Sequence, residues 1–304
     1  MDVRQLAVLR ELGDRGSVTA VAEALFITPS AVSQQLAALR RGVPVALTRR
    51  QGRTLVLTDA GQALAAAAAD VAAALARAET AVEAFLTDPA DTVRVAAFSS
   101  AAAAFFPALL HAATAGGPPM ECAEHDVAQA RFPALCADHD VVIAHRLRHS
   151  PPWPATVSVT PLLLEPLDIA VPAGHPLAEH ELLSVTQVSA QPWIAVHDGF
   201  PLLAPLEAIA AVAGRPLHMA HRVNDLTVAA RLVAAGAGIA LLPRYTAPAG
   251  PGVVLRPLQG MNLGRHLDAL LRPERALRSS VTAVLTALSR TADQITAGGD
   301  RLRS

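Results

Sequence analysis

The chain has 304 residues, 52% hydrophobic and 17% charged, with a formal charge of −1. That length excludes one small domain and accommodates two or three with large cores, while the overall charge argues neither for nor against nucleic acid. Two cysteines, Cys122 and Cys136, exclude a disulfide framework and fit a reducing cytosol. There is no lysine, a bias that together with the abundant alanine reads as codon usage.

Asp2 to Gly13 forms an opening helix with Val3, Leu6, Leu9 and Leu12 on one side. Ser17 then caps a short helix over Thr19 to Leu25, Phe26 and Ile27 turn the chain, and Thr28 caps a second helix that starts at Pro29 and runs to about Arg41. Val32, Leu36 and Leu39 line the inner face of that helix, while Ser30, Ser33, Gln34 and Gln35 show outward and can bond base edges or phosphates. This is a helix-turn-helix, and Thr28, Pro29, Ser30, Ser33 and Gln34 are its candidate DNA residues. A basic turn with Arg49, Arg50 and Arg53, followed by a short strand at Thr54 to Leu57, reads as a wing for phosphates or the minor groove. Residues 1–58 hold eight arginines against four acids, a local surplus of +4 on the segment that carries the motif.

Thr58 and Asp59 cap a long alanine-rich helix to about Leu86, whose bulkier residues Leu64, Val71, Leu75, Val82 and Leu86 step by 7, 4, 7 and 4. That is an a/d seam suited to a dimer. Asp70, Arg77, Glu79 and Glu83 interrupt the run and exclude a membrane span. Asp88-Pro89-Ala90-Asp91 breaks the helix as a hinge.

From Thr92 the pattern is α/β. Strands are expected at Val93–Phe98, Met120–Glu124 and Asp140–Ala144, with a helix capped by Ser99-Ser100 and another ending at Cys136, an order that implies a parallel sheet. A second series has strands at Leu167–Val171, Trp193–Val196, His218–Val223 and Ile239–Leu242, with helices at Phe200–Ala213 and 225–235, the latter capped by Asn224. Residues 253–271 add strands, a helix from about Arg275 to Arg290 closes the chain, and 297–304 reads as a loose tail.

With those pieces in place, the sequence resembles the LysR-type transcriptional regulators over essentially its whole length. The likeness rests on Gly16-Ser17-Val18-Thr19, Val21-Ala22-Glu23-Ala24-Leu25, the run from Ser30 to Leu36, and Leu57-Thr58-Asp59-Ala60-Gly61, with Pro172-Ala173-Gly174-His175-Pro176-Leu177 as a second match. It implies an α/β protein with an N-terminal all-α winged helix-turn-helix (1–58), a dimerising linker helix (59–88) and a C-terminal two-lobed, periplasmic-binding-protein-like α/β domain (92–296). Lobe I would span about 92–164 and 259–296, and lobe II about 165–258. The expected function is that of a cytoplasmic, ligand-responsive, sequence-specific transcription regulator. The expected partners are promoter duplex DNA, its own copies in a homodimer or homotetramer, a small effector and RNA polymerase, with no membrane. Three departures stand out. Thr28-Pro29-Ser30 replaces the frequent Ser-Gln-Pro, Leu39-Arg40 replaces Leu-Glu, and Thr48 stands where the family has a wing-anchoring aromatic.

In two-lobed domains ligands sit at the carboxyl ends of strands against helix N-termini. By resemblance Ser99, Ser100, His197, Asp198 and Asn224 belong to such loops, with His145 at the end of a strand beside them; Ser99 and Asn224 are equally good as plain helix caps. No cofactor is expected; the effector is a small molecule, with a carboxylate or an amino acid suiting the Ser99-Ser100 helix start. His139, His145 and His149 lie close together around the third strand, but a metal site needs them converging with carboxylate or thiolate help, and strand-end and loop histidines are more often surface or cleft residues, so no metal is expected. Hydrolase, metalloprotease and phosphate-loop motifs are absent from the sequence, so no residue is a catalytic candidate. The rival reading is a small-molecule binding protein whose N-terminal helices serve assembly only.

Overall fold

A computed structural model describes residues 1–51, 54–83, 91–247 and 250–301. The chain opens with α1 (Val3–Arg15), α2 (Val18–Ala24) and α3 (Pro29–Arg41), each begun by a side-chain cap: Asp2, Ser17 and Thr28. Asp2 and Gln5 form a capping box, and Gly16 ends α1 in the left-handed conformation. The three helices close a small core around Leu9, Leu12, Val21, Val32 and Leu39, joined by Leu47 from the start of the wing. Leu47, 2% exposed, supplies the wing anchor that Thr48 does not. The wing is an antiparallel pair, β1 (Thr48–Gln51) and β2 (Thr54–Leu57), with Arg49 opposite Val56 and Arg50 opposite Leu55.

The long helix α4 (Asp59–Glu83) leaves the wing under tight control. Thr58 donates its hydroxyl to the Ala46 carbonyl at 2.6 Å and accepts from the Gly61 N–H at 3.1 Å, so Thr58 is the residue that caps the helix. A Cβ on Gly61 would lie 2.0 Å from the Leu47 carbonyl oxygen, which is why this position is glycine. The buried face of α4 is made of Ala65, Ala68, Ala69 and Ala73. Of the expected seam, Leu64 is half-buried, while Val71 and Leu75 are 36% and 44% exposed. Leu86 and the hinge residues Asp88 to Ala90 lie outside the described residues.

The remainder is one nine-stranded sheet shared by two lobes. In lobe I, β3 (Val93–Ala97), α5 (Ser99–Thr114), β4 (Met120–Glu124), α6 (Phe132–Leu135) and β5 (Val141–Leu147) give the parallel order β4-β3-β5. The expected helix ending at Cys136 shrinks to a 3-10 turn and the four residues of α6, because Pro133 fits only the first turn of a helix. β6 (Ser158–Pro172) then crosses into lobe II, which holds α7 (Val185–Ser189), β7 (Pro192–Ala195), α8 (Leu203–Ala213), β8 (His218–Arg222), α9 (Leu226–Ala234), β9 (Ile239–Pro243) and β10 (Val253–Arg256). β11 (Gly264–Leu271) returns to lobe I and α10 (Ser279–Arg301) closes the described chain. The full order is β4-β3-β5-β11-β6-β9-β7-β8, with β10 also on β6.

Two expectations need correction here. The sheet is mixed, because β11 re-enters from lobe II and so runs against β5 and β6, and β6 in turn runs against β9 and β10. Residues 297–301 are helical, not loose, since α10 continues past Arg290 with Ala292 buried in the lobe I core; 302–304 lie outside the described residues. Lobe I packs Phe105, Leu109, Phe132 and Ile143, and lobe II packs Trp193, Leu183 and Ile209.

The helix-turn-helix is held to lobe I by charge. Arg10 pairs with Glu274 at 2.9 Å, Arg15 with Asp138 at 2.9 Å, and Arg272 with both Glu11 at 2.6 Å and Asp14 at 2.7 Å. Burial by itself raises the Glu11 carboxyl, yet Arg272 and Arg15 overcome it and hold Glu11 below its usual range. For Asp14 burial wins and its pKa is raised.

Candidate nucleic-acid interface and inter-lobe cleft

The outward face of α3 is polar because its apolar residues are all consumed by the core. Thr28, Pro29, Ser30, Ser33 and Gln34 are exposed, and Val32, Leu36 and Leu39 are buried. Thr28 Oγ1 accepts from Ala31 N at 3.2 Å and shares a 2.9 Å hydrogen bond with Ser30 Oγ. Ser33 donates to the Pro29 carbonyl at 3.0 Å. Gln34, exposed, and Gln35, half-buried, are the described residues of this face whose amides are not engaged within the helix. Arg49 and Arg50 are exposed on the wing; being consecutive in a strand, they point to opposite faces of the ribbon. Arg53 lies outside the described residues. Phe26, between α2 and α3, is 96% exposed at φ 53°, a left-handed conformation unusual for an aromatic residue.

Between the lobes lies a cleft of about 460 Å³. Of the expected effector residues it gathers Ser99, Ser100, His145 and Asn224. Ser99 and Ser100 are the first residues of α5 rather than its cap, which is Phe98. Asp225, not Asn224, caps α9, its Oδ1 accepting from Thr227 N at 2.7 Å and Val228 N at 3.1 Å. Asn224 instead accepts from His197 N at 2.8 Å. His197 and Asp198 are exposed on the neighbouring loop and do not line the cleft; Asp198 pairs with Arg222 at 3.1 Å.

At the floor lies a buried polar cluster. Arg265 of β11 donates Nε to Glu165 Oε2 at 2.9 Å, and its Nη2 reaches Glu165, Ser100 Oγ and Thr246 Oγ1 at 2.8, 3.0 and 2.7 Å. Glu165, 0% exposed, also accepts from the backbone N–H of Tyr245 at 2.8 Å and of Thr246 at 2.6 Å. The cluster ties the start of α5 in lobe I to the loop after β9 in lobe II, through the two strands that join the lobes. Beside it His145 sits edge-on to Phe98 and Phe132, with ring centres 4.6 and 5.4 Å away. Burial and the Arg265 charge push its pKa down to about 3, so the imidazole is neutral. Arg265, Glu165 and Thr246 were missed in the sequence. The available signal was charged residues inside two largely apolar strands, Glu165 and Asp168 in β6 and Arg265 and Asp268 in β11.

His139 meets His125 rather than His145 or His149, and among the described residues no group of three or more metal-type ligands is assembled. Burial raises both thiols, that of Cys136 to about 12, so neither is poised as a thiolate. Among the described residues no helix is long and apolar enough to cross a membrane.

Comparison with known proteins agrees with this geometry. Residues 3–62 match the bacterial regulatory helix-turn-helix of the lysR family, and residues 87–293 match the LysR substrate binding domain. The chain is 23% identical over 268 residues to an HTH-type transcriptional regulator of Bacillus subtilis, YvbU, covering 88% of this chain and 86% of that one. It is 29% identical to the HTH-type regulator TtuA of Agrobacterium vitis, covering 85% and 86%. Among solved structures, a full-length OxyR variant from Pseudomonas aeruginosa superposes with a TM-score of 0.63 at 19% identity, covering 95% of this chain and 94% of that one. Full-length CbnR in complex with its target DNA gives a TM-score of 0.51 at 19% identity, covering 96% and 100%. Two family matches that together span nearly all of the chain, on a winged helix-turn-helix joined to a two-lobed domain, make it a member of the LysR-type transcriptional regulators.

Proposed function

We propose that this regulator works as a homo-oligomer in the cytoplasm, reading promoter DNA with α3 and the wing and responding to a small molecule in the inter-lobe cleft. The reading rests chiefly on the exposed Ser30, Ser33 and Gln34 of α3 beside the wing arginines Arg49 and Arg50. Gln34 reads base edges, Thr28 and the helix N-terminus approach phosphate, and the arginines bind backbone or minor groove. Pro29 offers a ring where relatives often offer an amide, so the operator differs from theirs. Val71 and Leu75, exposed on α4, support pairing of two linker helices in a dimer or tetramer. Recognition helices in such a pair sit about 34 Å apart or a multiple of it. The chain is not an enzyme and needs no cofactor; its effector is a small carboxylate or amino acid, and RNA polymerase is a further partner on the promoter.

A mobility-shift assay with the gene's own upstream DNA tests this. Arg50→Ala weakens binding to all sequences and reduces the salt slope by about 1, whereas Gln34→Ala alters sequence preference. Absence of any shift at physiological salt would return the N-terminal helices to a purely assembling role.

A further inference from the structure

The cleft contains three elements that ordinarily attract an anion, and two of them are already neutralised by a carboxylate of the protein itself. At the N-terminus of α5, Ser99 donates its hydroxyl to Glu124, while the first backbone N–H groups carry no side-chain cap. The N-terminus of α9 is closed by Asp225. The guanidinium of Arg265 is bound to Glu165. Asp126 is then left over on the lobe I side, facing the same cleft as Asp225 on the lobe II side. Of the charged residues that line the cleft, Arg265 is balanced by Glu165 beneath it, and Asp126 and Asp225 remain, with Arg231 acting on Asp225 from its own helix. Burial raises the Asp126 carboxyl, and Glu124 and Asp225 add repulsion in the same direction.

A second feature of this cleft also points to a ligand. His145 lines it at 6% exposure, and its Nδ1 has no hydrogen-bond partner in the protein. A buried polar atom left unpaired is costly, and a ligand or a water that a ligand brings supplies the missing bond. Phe98 and Phe200 provide apolar walls.

We propose that the effector carries a protonated amino group, an amine or amino acid whose ammonium lies between Asp126 and Asp225 while its remaining part rests against Phe98 and Phe200 near His145. This rests on the reading of the cleft as the effector site and narrows its chemistry: a ligand with no amino group leaves Asp126 and Asp225 without a counter-charge. Because the two aspartates belong to different lobes, a cation between them replaces repulsion with attraction across the cleft and favours closure.

The test uses the full chain, with putrescine and L-ornithine set against succinate and glutarate, read by thermal shift and by titration calorimetry at millimolar ligand. Putrescine or ornithine is expected to raise the melting temperature with dose, and the dicarboxylates to leave it unchanged. Asp126→Asn and Asp225→Asn, the second of which keeps its capping oxygen, each weaken amine binding by about tenfold. Stabilisation by the dicarboxylates alone, no binding by either class, or amine affinity unaltered in both variants would each overturn the inference. Promoter mobility shift run in parallel separates the two readings: DNA binding without amine binding refutes only the amine, and amine binding without a DNA shift refutes only the regulator.

Discussion

Replacing Arg265 by methionine removes the cation from the floor of the cleft and leaves an unbranched apolar side chain in place of the arginine stem. Arg265 is 2% exposed and Glu165 0%, so the carboxylate stays buried after its charge partner has gone. Removing one member of such a pair costs about 3–5 kcal/mol. Here Glu165 keeps the two backbone donors at Tyr245 and Thr246 and the Thr246 hydroxyl at 3.1 Å, which places the expected loss near the low end, about 3 kcal/mol. In a unit the size of this two-lobed domain that is a fall in melting temperature of roughly 6–12 °C. Urea denaturation followed by Trp193 and Trp153 fluorescence gives the free energy, and the double variant Glu165→Gln/Arg265→Met completes a cycle. Without the stranded charge the double variant recovers part of the loss. If Arg265→Met fell within about 1 kcal/mol of wild type, or the double variant were less stable than the single by the full cost of a second truncation, the account of a coupled buried pair would be wrong.

Other consequences are equally open to measurement. Gly61→Ala sets a methyl against the Leu47 carbonyl oxygen and costs about 3 kcal/mol or more, together with DNA affinity; an alanine variant of wild-type stability in urea refutes the close approach. Phe26→Asn relieves a left-handed aromatic in a fully exposed turn and raises stability by about 0.5–1 kcal/mol, so a fall in the denaturation midpoint contradicts the strain. His145 has a folded pKa of about 3 against the ordinary histidine value of 6.5, so the unfolded chain takes up a proton that the folded one refuses. Its contribution to stability is complete above pH 6.5 and is lost as pH falls from there toward 3, with a limiting slope of about 1.4 kcal/mol per pH unit. His145→Gln flattens the stability profile between those limits, and an unchanged profile shows that His145 does not cause it.

The helix-turn-helix was legible because everything that makes it is local. Ser17, Thr28 and Pro29 mark helix starts, the apolar residues keep helical spacing, and all lie within 25 residues of one another. The start of α5 was legible for the same reason, as serines directly after a strand. The floor of the cleft was not. Glu165 and Arg265 are 100 residues apart, and nothing short of the β6–β11 register, with Arg265 opposite Glu165, announces that they meet. Asn224 and Asp225 show a subtler limit: both are good caps, and the one-residue register of α9 selects Asp225. The mixed sheet escaped because strand direction depends on which lobe the chain arrives from, which hydrophobic runs do not encode.

The ion pairs between α1 and lobe I bear on how interchangeable the two halves of this regulator are. Arg10, Glu11, Asp14 and Arg15 on one side and Asp138, Arg272 and Glu274 on the other form a matched set, with cations and anions on both faces. A set of mixed sign recognises its complement far more selectively than a patch of one sign does. The reading head and the sensing half are thus not modules to be exchanged freely. A chimera that grafts another reading head onto this sensor breaks the match unless the partners of residues 138, 272 and 274 travel with it. Two of the eight arginines near the N-terminus therefore act as a key to the protein's own second half rather than as a handle for DNA.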